Sequence, residues 1–248
     1  MILKNKNILI TGAGKGIGFE TVKMLINEGA FVYALIKSKQ DYKKFRKVNK
    51  KNIKFFFGRV ENLSTIKKIF KDSIKRKKII NCLINNAGVR LRKSFSLIKK
   101  KELLDVFNTN FFSIFFISQI FSKILIKNKI SGSIINISSI VGQSGFQELS
   151  VYGSTKGALI SLTKSLANEL ASKNINVNSI SPGFTKTSYY KNFKKNKKKL
   201  YKWTLSRIPM NRWGESREIS HLICFLASDK SSYINGENFN IDGGWTSS

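Results

Sequence analysis

Short apolar runs alternate with longer helical patterns along the whole chain, and this alternation constrains the fold more than any other feature. The runs are continuously apolar or β-branched, which is typical of strands that helices cover on both faces. Strand–helix alternation indicates βαβ units with parallel strands. Seven strands are predicted, over residues 7–11, 31–36, 53–58, 81–86, 133–138, 175–181 and 238–242.

These elements predict an α/β fold, a Rossmann-like, doubly wound parallel sheet of about seven strands with helices on both faces. No internal repeat, proline-rich linker or change in composition divides the 248 residues. A chain of this length can form one large core, so we predict a single domain over residues 1–248.

One segment interrupts the alternation of strands and helices. Residues 186–213 form a long polar insertion between the sixth strand and the next helix. Its aromatic residues favour a lid over a substrate, with a solvated lysine-rich loop as the alternative. These residues are Tyr189, Tyr190, Trp203 and Trp213.

The formal charge of +31 is the most unusual property of the composition. Such a charge is typical of proteins that bind nucleic acid or anionic surfaces. However, the lysines are spread over nearly every polar segment, and Lys, Asn, Ile and Phe share A/T-rich codons. No nucleic-acid motif accompanies the charge, so we expect no nucleic-acid partner, although an anionic substrate or carrier protein would be attracted.

Other sequence features favour a cytoplasmic protein that has no metal site and does not associate with a membrane. The chain starts directly with a strand-like segment rather than a signal peptide. The most apolar stretch, residues 103–126, contains Asp105 and Lys123 and is too interrupted for a spanning helix. Cys82 and Cys224 lie alone in apolar runs, which predicts buried thiols and no disulfide or metal site.

A glycine-rich turn, TGAGKGIG at residues 11–18, lies between the first strand and the first helix. Glycines let the backbone approach a pyrophosphate, and the helix N-terminus supplies N–H donors, although a plain tight turn is the alternative. The predicted cofactor-binding residues here are Gly12, Gly14, Lys15, Gly16, Ile17 and Gly18.

The end of the second strand predicts which dinucleotide is bound. NAD-binding proteins usually carry Asp or Glu there for the adenosine 2′-hydroxyl. This strand ends in FVYALIKSK, with Lys37 and no carboxylate, and Lys15 adds a second cation. The pattern favours NADP(H), with NAD(H) as the less favoured alternative.

Tyr152 and Lys156 lie four residues apart in SVYGSTKGALIS. On a helix this spacing places both side chains on one face. An ammonium close to a phenol stabilises the phenolate, so we expect the lysine to lower the pKa of Tyr152 toward neutrality. An ordinary surface pair is the alternative.

The chain resembles the short-chain dehydrogenase/reductase family over essentially its whole length. The order and spacing of the matching segments are jointly specific. They are TGAGKGIG at 11–18, NNAG at 85–88, Asn110 in NTNFFS, Ser139 in NISSIVG, YGSTK at 152–156 and SPGFTKT at 181–187.

The resemblance implies a catalytic role for four residues in the reduction of a carbonyl. Tyr152 would donate the proton to the carbonyl oxygen, and Ser139 would hydrogen-bond that oxygen. Lys156 would lower the tyrosine pKa and hold the nicotinamide ribose. Asn110 would anchor a water that resupplies protons. By spacing, Ser138 fits the serine role less well than Ser139.

The resemblance also implies the rest of the cofactor site. The adenine side would be walled by Asn86, Ala87 and Gly88, and the nicotinamide amide would be faced by Pro182, Gly183, Thr185 and Thr187. The chain departs from the family after the third strand, where Arg59 precedes Val60 in GRVEN and replaces the usual acid. Arg59 cannot accept a bond from adenine, so it would stack on the base or approach the 2′-phosphate.

Assembly follows from the same resemblance. The segment FFSIFFISQIF is apolar around most of a helix, and such a helix must be buried. We expect a homodimer or homotetramer built on this helix and the Tyr152 helix, with burial inside one chain as the alternative.

Three functions remain open at this stage. The preferred one is the reduction of 3-oxoacyl groups on acyl carrier protein, in fatty acid synthesis, because TGAGKGIG, NNAG and YGSTKGAL resemble that branch. The resemblance implies that Lys129 and Lys173 would meet the acidic carrier. A sugar, polyol or uronate dehydrogenase is the alternative, because RWG and the DGGW ending resemble that branch. The least favoured is a non-catalytic basic binding protein on the same scaffold.

Overall fold

Seven parallel strands form one sheet in the computed structural model, which describes residues 1–48, 50–187 and 190–247. The strand order is β3-β2-β1-β4-β5-β6-β9, and all six pairings are parallel. The predicted strands are confirmed, and each end differs by one residue at most. The strands are β1 Asn7–Thr11, β2 Phe31–Ile36, β3 Ile53–Phe57, β4 Cys82–Asn85, β5 Gly132–Ile137, β6 Ile175–Pro182 and β9 Asn238–Ile241.

Helices cover both faces of this sheet, as predicted. They are α1 Gly16–Asn27, α2 Lys39–Tyr42, α3 Leu63–Lys75, α4 Lys100–Phe107, α5 Ser113–Asn128, α6 Ser150–Ala171, α7 Tyr190–Asn196, α8 Lys198–Arg207 and α9 Ser216–Ala227.

Successive residues of β1 point to opposite faces and thereby divide the core. Ile8 and Ile10 pack in the layer that α1 and α9 cover, whereas Leu9 packs in the layer that α3, α5 and α6 cover. This two-residue period with apolar side chains on both faces explains why the strands read as continuous apolar runs.

The strand order reverses between β1 and β4. β2 lies on one side of β1, and β4 lies on the other. The connections that leave β1 and β4 therefore run in opposite directions, and a crevice opens between the carboxyl ends of β1 and β4. The glycine turn follows β1, and the Asn86–Gly88 segment follows β4. The fold thus brings two of the predicted cofactor segments to this crevice.

The helical stretch Lys100–Asn128 joins α4 and α5 through a π-helical turn, Asn108–Phe112. By length and composition it could cross a membrane, but half of its most apolar window is buried in the fold. Ile117, Phe121 and Leu125 belong to the core. A helix that packs one side against a sheet in this way behaves as a core helix of a globular protein.

The opposite side of α5 is not covered by the chain itself. Phe112, Phe115 and Phe116 are 41, 39 and 43% exposed. The alternative that this apolar helix is buried entirely within one chain is therefore wrong, because the sheet and α3 cover only one side of it.

Residues 186–213 are mostly helical. They contain α7 and α8, and a two-stranded parallel ladder holds their ends together, with β7 Thr185–Lys186 against β8 Gly214–Glu215. The segment carries its own small core, in which Phe193 and Trp213 pack with Trp245. Trp203 is 46% exposed. Tyr189, which the sequence analysis grouped with these aromatic residues, lies outside the described residues.

Candidate active site

A cavity of about 700 Å³ lies at the carboxyl ends of the strands. All predicted site residues line it except Gly18 and Asn110, which lie directly behind its wall. The predicted residues that line it are Gly12, Gly14, Lys15, Gly16, Ile17, Lys37, Arg59, Val60, Asn86, Ala87, Gly88, Ser139, Tyr152, Lys156, Pro182, Gly183, Thr185 and Thr187.

The glycine turn packs too closely for side chains. Gly12 has φ +64°, and a Cβ there would lie 2.8 Å from the Ala87 Cα. The Asn86 amide donates to the carbonyls of Thr11 and Gly12 at 3.0 Å each. These bonds tie the turn after β1 to the segment after β4.

Behind the turn, Gly18 allows α1 to pack against the turn. A Cβ at Gly18 would lie 2.4 Å from the Gly12 carbonyl oxygen. The helix begins after Lys15 without a side-chain cap, so its first N–H groups face the cavity edge as anion donors. These features fit a dinucleotide pyrophosphate.

The adenosine end of the cavity contains a carboxylate that the sequence analysis missed. Asp41 lies on α2, which folds back over the glycine turn so closely that a Cβ on Gly14 would lie 2.7 Å from the Asp41 Cβ. The carboxylate accepts hydrogen bonds from the Ser38 hydroxyl at 3.1 Å and the Lys44 ammonium at 3.3 Å. Its charge is thus partly compensated, and Lys15 and Lys37 line the same region.

Arg59 lines the cavity but is paired with a neighbour. Its guanidinium donates to both oxygens of the Glu61 carboxylate, at 3.2 and 3.3 Å. Burial acts to raise the pKa of Glu61, but hydrogen bonds from Arg59 and Thr109 outweigh it and leave the pKa lowered. Glu61 therefore holds the Arg59 guanidinium in place at the cavity wall.

The four predicted catalytic residues come together from three elements. Tyr152 and Lys156 lie on α6, Ser139 follows β5, and Asn110 lies in the π-helical turn. Ser139 caps a short helical turn by accepting from the Val141 N–H at 3.2 Å, and it lines the same cavity as Tyr152.

Lys156 is 4% exposed, and its ammonium donates to the Ile137 carbonyl oxygen at 2.6 Å. It lies 5.8 Å from the centre of the Tyr152 ring. Burial lowers the pKa of Lys156 to about 8. The lysine is thus held beside the phenol by the end of β5.

The tyrosine pKa differs from the sequence expectation. Burial raises the pKa of Tyr152, and the opposing effects come from the Ser139 hydrogen bond and the Arg90 charge. The structure does not show the expected lowering by Lys156, because the lysine ammonium is bound to Ile137 and is itself disfavoured by burial. A phenol in this environment stays protonated at neutral pH.

Asn110 is fully buried. Its amide oxygen accepts from the Val89 N–H at 2.8 Å, and its amide nitrogen donates to the Val89 carbonyl at 2.9 Å and to the Thr155 hydroxyl at 3.1 Å. The residue thus joins the loop that follows Gly88 to α6. A Cβ on Gly88 would lie 3.4 Å from the Asn110 oxygen and 3.7 Å from the Lys156 ammonium.

The substrate side of the cavity was largely missed by sequence reasoning. Arg90 and Arg92 follow the Asn86–Gly88 segment, and the only signal for them is two cations directly after a predicted carboxyl-end motif. The remaining wall is apolar and comes from distant loops, namely Ile140, Val141, Phe146, Leu149, Phe184, Phe193 and Trp213.

A parallel sheet with a glycine turn at its switch point and a tyrosine beside a buried lysine at the same edge defines a dinucleotide-binding α/β oxidoreductase scaffold. A family model described as enoyl-(acyl carrier protein) reductase matches residues 12–246. The chain belongs to the short-chain dehydrogenase/reductase family.

The relatives have several activities. The 3-oxoacyl-[acyl-carrier-protein] reductase FabG of Thermotoga maritima is 35% identical, and the match covers 98% of this chain and 99% of the relative. A crystal structure of a candidate 2-deoxy-D-gluconate 3-dehydrogenase from Agrobacterium tumefaciens with bound NADP has a TM-score of 0.90, 30% identity and coverage of 99 and 98%. A 4-hydroxyisoleucine dehydrogenase complexed with NADH has a TM-score of 0.91, 32% identity and coverage of 98 and 99%.

Proposed function

We propose that the protein reduces a carbonyl to a secondary alcohol with NADPH, as a 3-oxoacyl-[acyl-carrier-protein] reductase of fatty acid synthesis. The single observation that carries the proposal is that Tyr152, Ser139 and the buried Lys156 line the same cavity as the glycine turn. The similarity to the Thermotoga maritima reductase over nearly all of both chains supports the substrate class.

NADPH, when bound, supplies the hydride. The glycine turn and the uncapped start of α1 hold its pyrophosphate. Lys15 and Lys37 favour the 2′-phosphate, and Arg59 adds a third cation at the cavity wall. Lys44 compensates Asp41, which otherwise would repel the phosphate.

The chain's own groups handle the proton. Tyr152 donates its phenolic proton to the carbonyl oxygen, and its raised pKa keeps that proton present at neutral pH. The Ser139 hydroxyl donates to the same oxygen as negative charge develops there. Lys156 would hold the ribose hydroxyls of the bound cofactor. Asn110 holds Val89 in a fixed position relative to α6 through its bonds to Val89 and Thr155.

The insertion acts as a lid within a single domain, residues 1–248. Phe193 of α7 and Trp213 after α8 line the cavity. Their segment is joined to the rest of the chain by the β7–β8 ladder and the aromatic packing around Trp245. Such an element covers the substrate while its own small core keeps it folded.

Assembly uses the uncovered side of α5. Phe112, Phe115 and Phe116 form an exposed apolar strip that a second copy would bury, giving a homodimer or homotetramer in the cytoplasm. Lys129 and Lys173 are exposed at the amino ends of β5 and β6, whereas Tyr152 lies at the carboxyl ends. An acyl carrier that contacts these lysines would therefore serve the active site of a neighbouring subunit.

A sugar-acid or polyol dehydrogenase is the second candidate. It is favoured by the structural similarity to the candidate 2-deoxy-D-gluconate 3-dehydrogenase. The aromatic wall of Phe146, Phe184 and Trp213 could cover a sugar ring as well as an acyl chain.

NADPH oxidation with an acetoacetyl thioester, beside a panel of keto-sugars and keto-acids, tests the proposal. The thioester should be reduced, and Tyr152→Phe should lower turnover by about 10²- to 10⁴-fold with NADPH affinity nearly unchanged. The control is Tyr233→Phe, because Tyr233 is fully exposed. Activity on sugars alone would reject the carrier-protein assignment, and full activity of Tyr152→Phe would reject the proton donor.

A further inference from the structure

We propose that Arg90 binds an anionic group of the substrate, a phosphodiester or a carboxylate, at the substrate end of the cavity. The inference rests on the proposed function and adds a charge requirement to the substrate. Arg90 lines the same cavity as Tyr152, Phe146 and Leu149.

The backbone before Arg90 is fixed. Both polar backbone groups of Val89 are bound by the Asn110 amide, at 2.8 and 2.9 Å. The same amide donates to Thr155 of α6 at 3.1 Å, and α6 also carries Tyr152. The start of the Arg90 loop is therefore held in a fixed position relative to the tyrosine.

The backbone after Arg90 is fixed as well. Arg92 Nε donates to the Glu148 carboxylate at 2.7 Å, and the Lys93 N–H donates to the Glu148 carbonyl at 2.9 Å. Glu148 directly precedes Leu149 of the cavity wall. Arg90 is thus presented from a short segment that is tied on one side to Asn110 and on the other to the loop before α6.

The charges around the cavity favour an anion. Among the described residues, the carboxylates that line it are Asp41 and Glu61. Asp41 is paired with Lys44 and Glu61 with Arg59. The basic side chains that line it outnumber these acids, and they are Lys15, Lys37, Arg59, Arg90, Arg92 and Lys156.

The positive charge of Arg90 acts on Tyr152, the predicted proton donor. Burial raises the pKa of Tyr152, and the positive charge of Arg90 opposes that rise. Because Arg90 and Tyr152 line one cavity, an anion on the guanidinium would hold its substrate in the cavity that contains the phenol. A guanidinium forms paired hydrogen bonds with carboxylate and phosphate oxygens, so both groups suit it.

Two pairs of substrates that differ in one charge test the inference. One pair is acetoacetyl phosphopantetheine and acetoacetyl pantetheine, and the other is acetoacetate and its ethyl ester. In at least one pair, the wild-type protein should show about tenfold higher kcat/KM for the anionic member, as expected for one charge-assisted hydrogen bond. The pair that shows the preference identifies the group as phosphodiester or carboxylate.

Variants then assign the preference to Arg90. Arg90→Gln should bring the ratio of kcat/KM within each pair to about one, because any effect of the lost charge on Tyr152 alters both members of a pair equally, and Arg90→Lys should retain part of the preference. Arg217→Gln, which removes the same charge from an exposed position on α9, should leave it intact. A wild-type protein without any preference, or a preference that survives in Arg90→Gln, would overturn the inference.

Failure of the proposed function gives a different result. If the wild-type protein reduces none of the four compounds, the reductase proposal fails, and binding decides the inference instead. Trp213 lines the cavity, so quenching of tryptophan fluorescence reports the binding of acetoacetate and of its ester. Acetoacetate should bind the wild-type protein more tightly than Arg90→Gln, and equal binding would refute the role of Arg90.

Discussion

Folding places the charge of Lys156 in an unfavourable environment, and Lys156→Met should reveal this through the pH dependence of stability. Burial lowers the lysine pKa from 10.5 to about 8. Below pH 8 the lysine is protonated in both the folded and the unfolded chain, and the folded state carries the full penalty. Between pH 8 and 10.5 the unfolded chain binds more protons, so stability rises with pH.

The magnitude follows from the lowered pKa. At about 1.4 kcal/mol per pH unit, the buried ammonium costs about 3 kcal/mol at pH 7 and about 1.5 kcal/mol at pH 9.5. Lys156→Met removes this penalty but leaves the Ile137 carbonyl without its described partner, a loss of about 1–3 kcal/mol that does not depend on pH. The variant should therefore gain about 2 kcal/mol relative to wild type on going from pH 9.5 to pH 7.

Urea unfolding of both proteins at pH 7 and pH 9.5 measures this difference. Lys164→Met on the same helix is the matched control, because Lys164 is exposed and its ammonium stays in water. Its stability should run parallel to that of wild type across the two pH values. If Lys156→Met also runs parallel to wild type, burial does not disfavour the ammonium and the reasoning is refuted.

Three further variants test other parts of the structure. Asn110→Ala deprives both backbone groups of Val89 of their amide partner and should lower the free energy of unfolding by about 2–4 kcal/mol. The exposed Asn128→Ala should lower it by less than about 1 kcal/mol, and equal losses would contradict the role of Asn110. Lys37→Ala should narrow the preference for NADPH over NADH in binding titrations, whereas an NADH preference of the native protein would contradict the cofactor assignment. Phe115→Glu should lower the molar mass measured by light scattering, and an unchanged mass would exclude assembly through α5.

The sheet was predictable because its strands are buried on both faces. NILIT and FVYALI have no polar face, and such runs between helical patterns allow few other folds. The glycine turn and the Tyr152–Lys156 pair were equally accessible, since a turn between strand and helix and a four-residue spacing on one helix fix their geometry locally.

Contacts and pKa shifts that depend on distant partners could not be predicted from the sequence. Asp41 reaches the glycine turn only because α2 folds back over Gly14. Asn110 binds Val89, which is 21 residues away, and no local pattern indicates that contact. The raised pKa of Tyr152 follows from burial, which Ser139 and Arg90 oppose, and not from Lys156, since desolvation depends on the packed structure rather than on spacing.

The π-helical turn Asn108–Phe112 gives one stretch of backbone two orientations. A wider turn accommodates an additional residue and advances the following helix by about 100° relative to an uninterrupted α-helix. Asn110 therefore points inward to Val89 while Phe115, one turn later, points away from the sheet. Deleting one residue of this turn would rotate Phe115 by about 100° relative to Asn110, so the buried amide and the exposed apolar strip could not both keep their present orientations.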